Sequence, residues 1–383
     1  MMKKAYVATK SRGFLVNLFN SNIKNVEFIY KKDKLYETNS KIKKYISKMV
    51  KSRFSDHVGI IRRLDIPDEN FDLAFSYNRF LKSSKKYIIY LENPLALMHY
   101  STGRNKTYLG KAKLNKYLKD PNLVSIICLS KACFDTLNNF YSIPERIIIE
   151  QIYPLIPNNR NINPAKITSK CHKKEIQCLY ISSNFNLKGG KDIIETFKRL
   201  KIQGIDNIKL KIVTQIESVH SSSLKEINNN NNIELYKFNF NKEELNEIYS
   251  SSNILLNPTR QDSFSLVVLE AMKNGNTIIT TDLYAIPEMV KSNINGYLTE
   301  PRFRFFNYNN MPNLEVWNNR KNTIYSDYTD FEIVDFIYEK LLSLNHNRAE
   351  LERLSLNSYK EANTGAFDEE SIKNKWSSII NGI

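Results

Sequence analysis

The sequence predicts two consecutive α/β domains, each built on a mostly parallel sheet, and three observations carry that prediction. Short β-branched or aromatic runs alternate with stretches of helical periodicity through most of the chain. A polar, proline-punctuated segment at 157–174 interrupts the alternation near the middle and reads as a linker. The length of 383 residues suffices for two domains of ordinary size, each with its own core.

In chain order, 5–9 (AYVAT) reads as the first strand, broken at Ser11, Arg12 and Gly13, with a helix from Phe14 to Asn20. Residues 26–30 form the next strand. Residues 31–53 are strongly basic and carry Ile42, Tyr45, Ile46, Met49 and Val50 at helical spacing. Short strands are expected at 57–61 and 73–76, a buried one at 87–91 (YIIYL), and another at 124–129 (VSIICL) followed by a helix through Phe140. Residues 147–152 close this half at Tyr153 and Pro154. After the linker, strands are expected at 176–182, 210–214, 233–238, 254–257 and 277–281. The tail 367–376 (FDEESIKNKW) is amphipathic and reads as a final helix. No internal repeat is visible.

Composition narrows the function classes. The apolar fraction is 42%, with 22 Tyr and 20 Phe supplying large burial per residue. A net charge of +16 points to nucleic acid, an anionic membrane surface or anionic small substrates. No apolar run approaches the ~18–20 residues that span a bilayer, and MMKKAYVATK lacks a signal-peptide core, so a cytoplasmic location is expected. Cys128, Cys133, Cys171 and Cys178 form no CxxC, and the five histidines form no HExxH; free, buried thiols and no bound metal are expected. The asparagine run at 228–232 reads as a surface turn.

The densest chemistry lies at 257–282. Asp262 and Glu270 flank a small-residue turn (Ser263, Phe264, Ser265) and an apolar run from Leu266 to Leu269. The chain then breaks at Gly275 and enters TIITT, ending at Asp282. A loop feeding a helix N-terminus presents backbone amides that bind phosphate, and two carboxylates beside it can accept hydrogen bonds from vicinal hydroxyls. Phosphate plus hydroxyl pairs describe a nucleotide-sugar.

With Pro258, Thr259, Asp262, Ser263, Phe264, Ser265, Leu266, Glu270, Ala271, Met272 and Gly275 in place, the stretch resembles the E-x7-E region of retaining GT-B glycosyltransferases of family 4 (glycosyl transferases group 1). It departs at the first acid, Asp for Glu, and at both glycines, Ser263 and Ser265. The resemblance implies a GT-B fold: two Rossmann-like domains facing each other across a cleft. The corresponding domains are an acceptor-side domain at 1–163, a nucleotide-sugar domain at 164–364, and a helix at 365–383 crossing back to the first domain, with Trp376 packed at the junction. It also implies a hexosyltransferase-type enzyme that moves a sugar, with retention, to a glycan or lipid-linked acceptor in cell-surface polysaccharide or glycolipid synthesis, without a metal.

Residue by residue, the resemblance makes Asp262 the reader of sugar hydroxyls and Glu270 the ribose contact, with the amides from Phe264 to Leu266 on the diphosphate. The strand and Lys-Gly-Gly turn at 177–190 match the family's first C-domain strand, and Lys188 matches the lysine on the leaving diphosphate. The family arginine has no counterpart; Ser182 and Ser183 stand there, and Arg260 is the alternative second cation. Residues 236–240 (YKFNF) fall where the nucleobase rests. In the first half, Glu92 or Asn93 replaces a family histidine, His99 follows, and Gly13 matches a loop near the donor or acceptor. The basic helix at 31–53 suits an anionic membrane surface, placing the enzyme peripherally on the inner face; the alternative is a solvated face. Two rival readings remain: a catalytically silent GT-B scaffold, and a nucleic-acid-binding protein. No RNA-binding signature appears, so no nucleic-acid partner is expected.

Overall fold

The computed structural model describes residues 2–9, 13–30, 53–67 and 70–383. The basic segment expected to be a helix therefore lies outside the described residues, except for its last position. The chain divides into two compact units. One comprises Met1–Pro157, Tyr308–Pro312 and Glu369–Ile383; the other comprises Asn158–Asn307 and Asn313–Asp368.

The first unit is built on a six-stranded parallel sheet. Its strands are β1 (Lys3–Val7), β2 (Val26–Ile29), β4 (Leu73–Tyr77), β6 (Tyr87–Leu91), β7 (Leu123–Cys128) and β8 (Ile148–Gln151), in the order β2-β1-β4-β6-β7-β8. A small parallel pair, β3 (Arg63–Asp65) and β5 (Phe80–Lys82), lies outside it. Strands β4 and β6 are buried at every position, as continuous apolar runs covered on both faces must be. The helix Glu369–Gly382 belongs to this unit. Trp376, fully buried, sets its ring 5.7 Å from that of Phe75 and 5.0 Å from that of Tyr90.

One strand expectation fails here. Residues 57–61 are not a strand: a helix occupies Arg53–His57, and the chain turns at Gly59, whose φ of +64° suits a residue without Cβ. The alternation in that stretch was too short to outweigh a glycine.

The second unit carries β9 (Ile176–Ser182), β10 (Ile208–Thr214), β11 (Ile233–Lys237), β12 (Ile254–Asn257), β13 (Thr277–Thr281) and β14 (Gly296–Thr299). All neighbours are parallel, in the order β11-β10-β9-β12-β13-β14. The expected linker is in part a helix, Pro164–Cys171. Asn163 caps it through a bond from the Lys166 amide, Pro164 starts it, and Ile167 and Cys171 bury into the unit's core. Of the polar residues that suggested a linker, Asn163 is the cap, Lys166 and Ser169 face outward, and Lys170 is buried. All four cysteines are free and buried. Among the described residues, no helix is long and apolar enough to cross a membrane.

Candidate functional site

The strand order of the second unit reverses direction at β9. Crossovers to β10 and β11 run one way and those to β12, β13 and β14 run the other, so the ends of β9 and β12 form the topological switch point. The chain loops that leave these two strands carry Lys188 and Asp262.

The loops are tied to each other. The Arg260 amide donates to the Leu187 carbonyl at 3.0 Å. Gly189, with φ +74°, passes so close that a Cβ there would stand 2.2 Å from the Pro258 carbonyl oxygen. From this junction Lys188 extends its ammonium to the Gln261 carbonyl at 2.7 Å and to Asp262 Oδ2 at 2.6 Å. The other carboxylate oxygen, Oδ1, accepts the amides of Ser263 at 2.9 Å and Ser265 at 3.0 Å. The turn opens the helix Leu266–Lys273, whose N-cap Ser265 has φ +66° and makes no side-chain cap. Asp262 thus caps the turn that the family's glycine would shape, and Ser265 accepts a left-handed backbone with its hydroxyl held by Asn257 at 3.1 Å.

A carboxylate is therefore held by one ammonium and two backbone amides at a helix entrance. Burial alone would raise the Asp262 carboxyl; the Lys188 ammonium and hydrogen bonds from the turn outweigh it and leave it below its ordinary value.

Glu270 lies in the same helix and accepts the Tyr249 hydroxyl on Oε2 at 2.7 Å. Burial raises its carboxyl, and the Tyr249 hydrogen bond acts in the opposite direction. The helix ends in a Schellman-type turn: the Asn276 amide reaches the Ala271 carbonyl and the Gly275 amide the Met272 carbonyl, with Gly275 at φ +65°.

Other expected residues fall as follows. Ser182 ends β9, is buried, and accepts the Asn184 amide on Oγ at 2.9 Å, while Ser183 is exposed. Arg260, expected as a second cation on the diphosphate, is directed elsewhere. Its guanidinium is 4% exposed, donates to Asp192 at 3.3 Å and to the Tyr328 carbonyl at 2.8 Å, and stacks 3.7 Å from the centre of the Tyr328 ring. Burial pushes Asp192 up to about 6 despite this partner. The pairing is not legible in the sequence, because Asp192 and Arg260 are far apart in the chain and meet only where their helix and loop pack. At 236–240 the strand end is solvent-facing, with Phe238 46% exposed.

In the first unit, Glu92 and Asn93 sit at the end of β6. Glu92 accepts the Tyr77 hydroxyl at 2.6 Å and the Asn78 amide at 3.4 Å, and its own backbone amide donates to Asn78 Oδ1. Tyr77 and Asn78 were missed in the sequence, where nothing distinguishes them from core and turn residues. Asn93 caps a 3-10 turn by accepting the Leu95 amide at 3.0 Å. His99 accepts the Arg62 amide on Nε2 at 3.0 Å, which fixes the neutral tautomer protonated at Nδ1. Gly13 begins the helix Gly13–Asn20, and a Cβ there would meet nothing within 4 Å.

This geometry coincides with a family assignment. Residues 164–304 match the family described as glycosyl transferases group 1. Over those residues the chain is similar to a group 1 glycosyltransferase domain. The whole chain has the GT-B fold, two Rossmann-like domains, shared with solved glycosyltransferases. HepE from Anabaena, solved with UDP and glucose, matches with a TM-score of 0.60 at 12% identity, covering 100% of both chains. WaaG, a glycosyltransferase involved in lipopolysaccharide biosynthesis, matches at 0.58 and 16%, covering 99% of this chain and 100% of that one. Sucrose-phosphate synthase from Thermosynechococcus elongatus matches at 0.60 and 14%, covering 94% and 83%. Against TarM the TM-score is 0.52 at 15% identity, and the chain spans 54% of TarM's length. Comparison with curated protein sequences returns no match.

Proposed function

We propose that this protein transfers a sugar, with retention of configuration, from a nucleoside-diphosphate sugar to a glycan or lipid-linked acceptor. The observation that carries the reading is the Lys188–Asp262 arrangement at the switch point. There a carboxylate occupies an anion position made by one ammonium and two amides, where a donor phosphate can take its place.

The diphosphate is the leaving group, and its charge grows as the glycosidic bond breaks. Lys188 and the turn amides are fixed before the reaction, so they stabilise that charge without reorganising. A donor phosphate oxygen then assists the incoming hydroxyl on the same face of the sugar, and the protein's task is orientation. Asp262, released by the diphosphate, faces the sugar hydroxyls; Glu270 receives the ribose hydroxyls. Charge is supplied by Lys188 and amides, and the reading uses no metal.

A net charge of +16 supports work at an anionic surface, with a lipid-linked acceptor on the cytoplasmic face of the membrane. The lysines invoked for docking, Lys41, Lys43, Lys44, Lys48 and Lys51, lie outside the described residues. Their reversal to glutamate is expected to release the protein from anionic vesicles while donor hydrolysis persists. Wild-type protein that ignores such vesicles at physiological salt removes the lipid surface from the reading.

A thermal-shift screen of UDP-, GDP-, ADP- and CMP-linked sugars tests the donor class, starting with UDP-sugars because UDP is bound by HepE. A ligand at a hundred times its Kd adds ~2.7 kcal/mol, or roughly 3–4 °C in Tm at about 2.1 cal/mol/K of unfolding entropy per residue. Lys188→Ala is expected to lower turnover more than donor affinity. No shift with any sugar nucleotide, together with no release of free nucleotide, overturns the reading.

A further inference from the structure

We infer that Tyr249 is a positioning residue for ribose recognition: its hydroxyl sets the plane of the Glu270 carboxylate so that the remaining lone pairs receive a vicinal diol. The inference rests on the proposed role of Glu270.

Tyr249 stands in the last turn of the helix Lys242–Ser251, between β11 and β12, and is 1% exposed. Its hydroxyl donates to Glu270 Oε2 at 2.7 Å. Among the described residues it is the only hydrogen-bond donor on that carboxylate. A carboxylate offers about four lone-pair sites, so Tyr249 fills one and leaves room for two hydroxyls. A glutamate side chain held in one orientation before the ligand arrives loses less freedom on binding.

Behind Tyr249 lies a buried polar lattice that fixes both partners. The Tyr249 carbonyl accepts Asn276 Nδ2 at 3.0 Å, and Asn276 Oδ1 accepts the Lys170 ammonium at 2.8 Å. Lys170 also donates to the carbonyls of Ser252 at 2.6 Å and Asn274 at 2.9 Å. Asn274 Nδ2 returns to the Glu270 carbonyl at 2.9 Å. The circuit thus starts at the tyrosine beside the carboxylate and closes on the backbone of the glutamate itself. Lys170 is 6% exposed, Asn274 2% and Asn276 0%. Burial pushes Lys170 down to about 7, while four acceptors, the fourth being the Ser250 carbonyl at 3.5 Å, surround the three protons of its ammonium. Well-packed apolar residues would fill this volume without the desolvation cost of a buried charge. A satisfied polar circuit instead gives one arrangement of the helix end, which is what a carboxylate aimed at a diol requires.

The same bond acts against the upward shift that burial imposes on the Glu270 carboxyl, since burial favours the protonated form and the Tyr249 hydroxyl counters it.

The test is calorimetric titration of wild type, Tyr249→Phe, Glu270→Gln and the double variant with UDP and 2′-deoxy-UDP, with GDP and 2′-deoxy-GDP as a second pair. Phenylalanine keeps the ring's packing, and Tm confirms the fold. Wild type is expected to prefer the ribonucleotide by about tenfold or more. In Tyr249→Phe the ribonucleotide weakens by about fivefold to thirtyfold while the deoxy form changes little, so the preference shrinks to a few-fold. The acid midpoint of binding also rises, because the countering hydrogen bond is gone. The double variant resembles Glu270→Gln alone. If wild type discriminates and Tyr249→Phe keeps both the preference and the midpoint, Tyr249 is structural only and the Glu270 role stands. If wild type discriminates with neither pair, the Glu270 role fails and this inference fails with it.

Discussion

Replacing Asp262 by asparagine separates two consequences of one side chain. Asp262 Oδ2 stands 2.6 Å from the Lys188 ammonium, with the side chains 17% and 24% exposed. Asparagine keeps an oxygen for the amides of Ser263 and Ser265 but turns a donor toward Lys188. The lost interaction is one charge-assisted hydrogen bond in a partly shielded setting, ~1–2 kcal/mol net after desolvation and side-chain ordering. If a donor diphosphate takes over Lys188 from Asp262, that energy is what each nucleotide overcomes on binding. Its removal should tighten UDP binding by about fivefold to thirtyfold, at 1.4 kcal/mol per factor of ten. Sugar transfer should fall in the same variant, because the carboxylate no longer reaches the sugar hydroxyls. The ligand-free protein should lose a comparable amount of stability. The pH dependence has a definite sign: Asp262 is held below its ordinary value of 3.8, so its contribution is complete above that pH and is lost as pH falls below it. The assay is isothermal titration of UDP against both proteins, followed by turnover with the sugar nucleotide that the screen selects. UDP binding that is unchanged or weaker in Asp262→Asn refutes the displacement argument.

Three further substitutions follow from the packing. Arg260→Ala leaves Asp192 buried without its cation and should cost about 3–5 kcal/mol of stability, read as a large fall in Tm; a variant with unchanged Tm and selectively lost donor binding would return Arg260 to the diphosphate. Gly189→Ala places a Cβ 2.2 Å from the Pro258 carbonyl at φ +74°, so it should displace the Lys188 turn and lower both turnover and Tm; wild-type behaviour would show that the turn has room to shift. Trp376→Ala empties a fully buried site against Phe75 and Tyr90 and should destabilise by about 3–5 kcal/mol in chemical denaturation; a loss under 1 kcal/mol would mean the helix Glu369–Gly382 contributes little.

Much of the fold was legible because YIIYL is a continuous apolar run and TIITT a β-branched one, both buried at every position as in parallel sheets covered on both faces. Where local signals competed, legibility failed: Gly59 turned an expected strand into the end of a helix, and the caps of Pro164–Cys171 resembled a linker. The spacing around Asp262 and Glu270 singled out the turn and its helix, since that pattern is local in sequence. The family resemblance of the Lys-Gly-Gly turn is what singled out Lys188.

Only the tertiary structure decided what those groups touch. Asp262 folds back onto its own turn and takes Lys188, which the identity of either residue does not state. Arg260 is drawn under Tyr328 by Asp192, and Tyr249 stands behind Glu270, each pair formed by elements distant in the chain. A motif records which chemical groups are near one another along the backbone, whereas hydrogen-bond partners at a strand end are set by how several separate crossovers converge there. The sequence marked where the candidate site lies; the convergence of β9, β12 and their helices decided which partners its side chains take.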